Sequence, residues 1–315
     1  MRKILYRKSV LMSIQWFPGH MNKAKKEIKD LVSNIDIVVE LLDARAPFSS
    51  CNPLLQNIIK YKKKIRLLNK ADLADNEITK RWIEFFQKDA NAIALTGNKD
   101  DLKQKKQLIQ LCQSLSPNRN SFEKPLRVMI TGIPNVGKST LINKLIGKKS
   151  AKTGDVPAVT RSNQCLVLTD SFLVYDTPGM MWQKIKYDKI GYNLAICNSI
   201  GRNACDDEIL AVYLLGYLKT YYCDLLLERY KLNVDVSNLV EGELLHLIGK
   251  KRGCILSGGL IDIQKTSEII IQDFRAGRIG RVSLETPELW EAWMEESRLA
   301  EELLAEQSED DEASR

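Results

Sequence analysis

Six short, nearly continuous apolar runs punctuate the first 175 residues: Asp36–Leu42 (DIVVELL), Ile65–Leu68, Ala92–Leu95, Leu126–Thr131, Cys165–Leu168 and Phe172–Tyr175. A strand covered on both faces needs no polar alternation, so these runs predict a sheet buried on both sides. Between them, Asn22–Val32, 77–89, 100–115 and 138–147 carry apolar residues at helical spacing. That alternation of strand and helix predicts a layered α/β domain. Beyond about residue 188 the strand signals fade. Helical periodicity fills 206–230 (Ile209, Val212, Tyr213, Leu215, Leu218), 241–249 and 264–275, which predicts a second, all-helical domain. His246, among Leu244, Leu245, Leu247 and Ile248, is expected in the core of that domain. The boundary is expected within 183–190, and no internal repeat is visible.

Length and composition narrow the class. A chain of 315 residues exceeds the usual single-domain size, and 44% apolar with 28% charged residues describes an ordinary globular protein. No run of about 18 uncharged apolar residues occurs, which excludes a membrane-spanning helix of ordinary composition. Seven scattered cysteines (51, 112, 165, 197, 205, 223 and 254), with no Cys-x-x-Cys pair and two histidines, argue against a disulfide scaffold or a zinc site and fit a reducing compartment. The first eleven residues are basic but too short and charged for a secretory signal. A fragment of a mitochondrial presequence is one reading of them. An upstream extension or mis-assigned start before Met12 is the preferred one.

The charge is uneven. Residues 285–315 hold twelve acids against two basic residues, a sum of −10, so with a net charge of +7 the rest carries +17. A basic body with an acidic tail points to a polyanionic partner, with a tail that shields or competes for that surface. The plainer alternative is a solvated surface and a free tail.

Candidate chemistry begins with GIPNVGKS, Gly132–Ser139, which matches the phosphate-binding loop pattern and lies between an expected strand and an expected helix. Glycine torsions turn successive N–H groups toward phosphate oxygens, and the helix N-terminus adds a favourable field. Nucleotide contacts are assigned to Asn135, Val136, Gly137, Lys138, Ser139 and Thr140. Lys138 is expected on the β/γ-phosphates and the Ser139 hydroxyl on Mg²⁺. DTPG, Asp176–Gly179, follows the run FLVY: Asp176 is expected to hold Mg²⁺ through water and the Gly179 N–H to meet the γ-phosphate. Thr160, in PAVTRS between these motifs, fits a switch threonine that ligates Mg²⁺ when the γ-phosphate is present.

NKAD, Asn69–Asp72, follows another expected strand. The Asp72 carboxylate can accept from guanine N1–H and N2–H₂, donors that adenine lacks in that arrangement. Asn69 is expected to tie this loop to the phosphate loop, and Lys70 to lie along the base. In ordinary GTPases the base-reading loop comes last, yet here it precedes Gly132 by 63 residues. A circular permutation preserves the sheet, because domain termini commonly lie near one another. Both switch segments then feed directly into the C-terminal helices.

The permuted order, with IQWFPGHM (Ile14–Met21), LLDARAP (Leu41–Pro47), DTPGMMW (Asp176–Trp182), RGCILSGG (Arg252–Gly259) and DFRAGRIGR (Asp273–Arg281), resembles the circularly permuted GTPases. Within them it resembles the ribosome biogenesis GTPase A, or YlqF-type, family, over residues 13 to about 286. The resemblance implies an α/β, circularly permuted P-loop GTPase domain (14–185) after a basic extension (1–13), then an all-helical RNA-contacting domain (186–286) and an acidic tail (287–315). It implies GTP and GDP as ligands, and a cytoplasmic protein acting late in assembly of the large (50S) subunit, with the subunit precursor and its rRNA as partners. Neither membrane nor DNA is expected as a partner. Met180 stands where many GTPases carry a water-orienting Gln and cannot position water by hydrogen bonding. The resemblance offers His20 instead, and related GTPases with Asn at the Asn135 position bind K⁺ there. Arg275, Arg278 and Arg281 are expected on rRNA. Ala158, where the family has Gly, and IGRNACDD (Ile200–Asp207) depart from the pattern. Alternatives are a GTPase of the small subunit, tRNA or mitochondrial ribosome, or a non-catalytic guanine-nucleotide module.

Overall fold

The computed structural model describes residues 20–89, 92–97, 102–119, 121–147, 164–183, 185, 187–201, 205–296 and 298–299. Strands β1 (Ile37–Asp43), β2 (Lys63–Asn69), β3 (Ala92–Gly97), β4 (Leu126–Gly132), β5 (Gln164–Thr169) and β6 (Phe172–Asp176) form one sheet in the order β3-β2-β1-β4-β6-β5. All neighbours are parallel except β5 and β6. The register aligns Asp43 with Asn69, Asn69 with Gly97, and Leu41 with Gly132. The ends of LLDARAP, NKAD and GIPNVGKS therefore emerge side by side at the carboxyl edge, where open α/β sheets bind ligands.

Every residue of β1 is buried, as a continuous apolar run requires. Strand β5 departs from that expectation: it is an antiparallel edge strand with Cys165 exposed and Val167 61% exposed. As an edge strand it has a neighbour on one side only, among the described residues.

Helices α1 (His20–Val32), α2 (Pro53–Ile58), α3 (Asn76–Gln87), α4 (Leu102–Leu115) and α5 (Lys138–Ile146) accompany the sheet. With six residues, α2 is too short to show a period. Its start is marked chemically, by Asn52 accepting from the Leu54 and Leu55 N–H groups and by Pro53 in the first turn. A small core joins α1 and α2 to the sheet through Ile28, Val32, Val38, Leu55, Met129 and Met180.

The C-terminal part is helical: α6 (Asp188–Ile196), α7 (Asp207–Tyr221), α8 (Cys223–Tyr230), α9 (Glu241–Lys251) and α10 (Ile263–Arg275), followed by α11 over 287–296. Helices α7 and α8 meet at 117° about Tyr222, where one continuous stretch was expected. The Tyr222 hydroxyl donates to the Ser283 carbonyl at 3.3 Å and accepts from the Ser283 N–H at 3.2 Å, pinning the break. His246 is exposed rather than packed, because Leu244, Leu245 and Ile248 take the buried face of α9 and place residue 246 on the other side. No single helix among the described residues is long and apolar enough to cross a membrane.

One hydrophobic core runs from the sheet (Leu41, Ile130, Val174) into the helices (Leu214, Leu244, Phe274) and on to Trp290. The acidic segment expected as a tail from 287 thus opens as a packed helix. Trp290 stacks on Phe48 with ring centroids 4.0 Å apart, since Leu289, Trp290 and Trp293 give that segment an apolar stripe.

Candidate functional site

At the phosphate loop, backbone approach dictates glycine. Gly132 has φ +148°, and a Cβ there would lie 2.5 Å from the Leu41 carbonyl oxygen. Gly137 has φ +104°, and a Cβ would lie 2.3 Å from Asn69 Nδ2. Asn135, at φ +56°, turns its Nδ2 to the carbonyl of Asn198, a left-handed residue just past α6, at 2.8 Å. Lys138 opens α5 almost completely buried, donating from Nζ to the Ile133 carbonyl at 2.8 Å. Burial pulls its amine down to about 8, against the opposing charge of Asp176.

Asp176 closes β6. Both of its carboxylate oxygens are buried and accept no well-formed hydrogen bond among the described residues. Burial pushes the carboxyl up to about 6, although Lys138 and the Thr177 N–H pull the other way. The turn after it presses on the phosphate loop: a Cβ on Gly179 would sit 2.8 Å from Pro134 backbone and 3.1 Å from Lys138 Nζ. Met180 is fully buried against α1 and α2, held by its own N–H on the Gly132 carbonyl and by Asn52 Nδ2 on its carbonyl.

The base-reading loop joins this edge directly. Asn69 Nδ2 donates to the Val136 carbonyl at 2.8 Å, so it braces the phosphate loop. Lys70, at φ +60°, reaches Asp43 Oδ2 at 2.8 Å. Asp43 also receives Arg45 Nε and Nη2 at 2.9 and 2.8 Å, and both residues are buried. Burial alone would raise the Asp43 carboxyl, but Arg45 and Lys70 outweigh it and hold the group well below the ordinary carboxylate range. Asp72 is exposed in the turn closed by Leu73 N–H on the Lys70 carbonyl, with the Ala71 N–H on the Gly97 carbonyl. The Asp72 carboxylate thus faces solvent three residues after Asn69, whose side chain braces the phosphate loop.

A family profile described as "50S ribosome-binding GTPase" matches residues 127–213, the stretch from the phosphate-loop strand into α7. The chain is 40% identical over 301 residues to ribosome biogenesis GTPase A of Bacillus cereus, covering 93% of this chain and all of that protein. The crystal structure of GNP-bound YlqF from T. maritima superposes with a TM-score of 0.60 at 31% identity, covering 84% of this chain and 99% of that one. The chain belongs to the ribosome biogenesis GTPase A family. It is therefore a circularly permuted GTPase whose nucleotides are GTP and GDP. The mitochondrial ribosome-associated GTPase 1 of Xenopus tropicalis is also similar, 32% identical over 293 residues, with 86% of this chain and 94% of that protein covered.

Among the expected site residues, the structure gathers Asn69, Lys70, Asp72, Asn135, Val136, Gly137, Lys138, Ser139, Thr140, Asp176 and Gly179 at the carboxyl edge of the sheet. Thr160 and Ala158 lie outside the described residues, and His20 begins α1 with its side chain outside them. The arginines of DFRAGRIGR each have a partner within the chain, Arg275 half-buried and Arg278 and Arg281 exposed. Arg275 donates to the Ala195 and Ile196 carbonyls, Arg278 pairs with Asp273, and Arg281 donates to Asn76. The Asp43–Arg45–Lys70 cluster and Asn198 escaped the sequence reading. An Asp-x-Arg directly after a buried strand was the available signal for the first; nothing in the sequence marks Asn198.

Proposed function

We propose that this chain is a Mg²⁺-dependent, K⁺-stimulated cytoplasmic GTPase that binds the immature large (50S) ribosomal subunit through its rRNA and promotes its late maturation, turning over slowly when free and faster on the particle. The observation that carries the nucleotide chemistry is the meeting of Asn69, Lys138 and Asp176 at one strand-end edge, with Asp72 opening beside them. In this reading Asp72 accepts from guanine, and backbone N–H groups from Val136 to Thr140 hold the phosphates. Lys138 sets its ammonium against the β/γ-phosphates. The two partnerless oxygens of buried Asp176 fit a water-bound Mg²⁺, with Ser139 and Thr160 as its other protein ligands. Bound there, Mg²⁺ supplies neutralisation of the phosphate charge. Asn135, its amide held through nitrogen by Asn198, offers an oxygen for K⁺. His20 orients the attacking water, a role closed to Met180 in its apolar pocket.

The 50S assignment rests on the family and on a basic body. The exposed lysines of α1, Lys23, Lys25, Lys26 and Lys29, join Arg275 and the exposed Arg278 and Arg281 in the rRNA contact. Cosedimentation with precursor 50S particles, in K⁺ or Na⁺ at fixed ionic strength and over a salt series, tests the whole reading. The expected result is GTP-dependent binding that weakens steeply with salt, with faster turnover on particles and in K⁺. Preference for the small subunit, or turnover indifferent to particles, overturns it.

A further inference from the structure

The segment after α10 does something that its resemblance to an RNA-contacting motif does not suggest: it laces the base-reading loop. The Val282 N–H donates to the Leu73 carbonyl at 3.1 Å, and the Asp75 N–H donates to Ser283 Oγ at 3.2 Å. Arg281 Nη1 donates to Asn76 Oδ1 at 2.8 Å. Gly277 stands at φ +69°, with a Cβ there falling 2.8 Å from Leu73 Cδ2, so the turn lies directly on the loop. One residue further on, the Leu284 N–H donates to the Arg45 carbonyl at 2.7 Å, and the Arg45 guanidinium lies 5.0 Å from the Phe274 ring centre. Buried Glu285 then accepts from Ser49 N–H and Oγ at 3.0 and 2.6 Å and from Asn193 Nδ2 at 3.2 Å. The strap thus ties residues 73–76 and 45–49 to the helical unit.

We propose that Gly277–Ser283 is a guanine-specificity strap, with Arg281 and Ser283 as positioning residues that hold Asp72 ready for the base. This rests on Asp72 as the guanine reader. Asp72 is exposed and lies one residue before Leu73, the first residue the strap grips. A carboxylate on an unbraced turn must be ordered by each ligand that binds it, and that ordering subtracts from affinity. The strap removes the cost in advance. It acts on nucleotides that give Asp72 a donor and is indifferent to those that do not.

The test compares GDP with ADP, whose adenine offers Asp72 neither donor, on the full chain carrying Arg281→Ala with Ser283→Ala. Arg281→Ala and Asn76→Ala, each altering an exposed residue, serve as single variants that keep the fold. Thermal unfolding checks every protein. Loss of one or two bracing hydrogen bonds is expected to lower GDP affinity about fivefold to tenfold while leaving ADP affinity unchanged. An equal loss for both nucleotides, or no loss for either, overturns the strap. Asp72→Asn separates the two levels. If it keeps the wild-type preference for GDP over ADP, the reader assignment falls and the strap's purpose with it; if it loses that preference while the strap variants keep theirs, the strap alone is wrong.

Discussion

Two buried carboxylates end two strands of the same sheet and have opposite electrostatic fates. Asp43, at the end of β1, is enclosed by Arg45 and Lys70, and its carboxyl is held far below the ordinary range. Asp176, at the end of β6, is equally buried, accepts no well-formed hydrogen bond and makes no ion pair among the described residues, and is pushed up to about 6. Lys138, its nearest compensating charge, is itself drawn down to about 8 by burial. The first cluster keeps its carboxylate compensated without a ligand, by two cations, and acts as scaffold under the base-reading loop. The second is left uncompensated, at a cost in stability that bound phosphate and cation would remove. Burial and residue type are shared; the count of opposing charges within reach decides the difference.

The largest expected effect comes from breaking the incomplete cluster. Lys138→Ala should lower GTP affinity or turnover by two orders of magnitude or more, since a buried cation facing phosphate has no substitute. The apo fold should survive, because the variant also removes a desolvated charge that lacks a close ion pair. Nucleotide titration with thermal unfolding checks both halves. Wild-type binding would remove Lys138 from the site, and an unfolded apo protein would show that it belongs to the scaffold after all.

Breaking the complete cluster should do the reverse. Asp43→Asn leaves Arg45 buried beside no carboxylate and should cost about 3 to 5 kcal/mol of stability. It should leave the phosphate contacts formed in whatever protein remains folded. Urea unfolding with and without GDP measures this. A loss below about 1 kcal/mol would mean that the pair is screened like a surface bridge, and the contrast between the clusters would dissolve.

The two clusters also differ in how legible they are. The phosphate loop, DTPG and NKAD are local patterns whose spacing is fixed by backbone chemistry, so Gly132, Lys138 and Asp176 can be picked out of the chain. The sheet was equally legible in its central strands, where burial on both faces writes an unbroken apolar run, and misleading at β5, where the same composition sits on an exposed edge. What could not be read is long-range pairing. Asn135 with Asn198, Asn76 with Arg281 and Ser49 with Glu285 are joined across 63, 205 and 236 residues. No local pattern encodes such partners, and nothing in DFRAGRIGR marks Arg281 as the arginine that bonds Asn76. Short α2 and the Tyr222 break were missed for a related reason: six residues show no period, and the break is set by Ser283, far along the chain.

The smallest expected effect sharpens the comparison by its sign. The Asp176 carboxyl titrates at about 6 in the folded protein, against an ordinary unfolded value of about 3.9. The native state thus binds a proton more tightly than the unfolded state. Stability from this group is fully present below about pH 4 and is lost as pH rises toward 6. By pH 7.5 the ionised, unpartnered carboxylate imposes its whole cost. Asp176→Asn should therefore stabilise the ligand-free protein at pH 7.5 by about 2 kcal/mol, with almost no gain at pH 4. Saturating GDP with Mg²⁺ should reverse the order, because only the wild type gains from placing a cation beside the carboxylate. Asp43 would behave oppositely in the same assay, its contribution surviving well into acid. Thermal unfolding of wild type and Asp176→Asn at the two pH values, with and without Mg²⁺ and GDP, supplies all the comparisons. A variant less stable than wild type without ligand at pH 7.5 would show that Asp176 is already satisfied, and the two strand ends would then be alike.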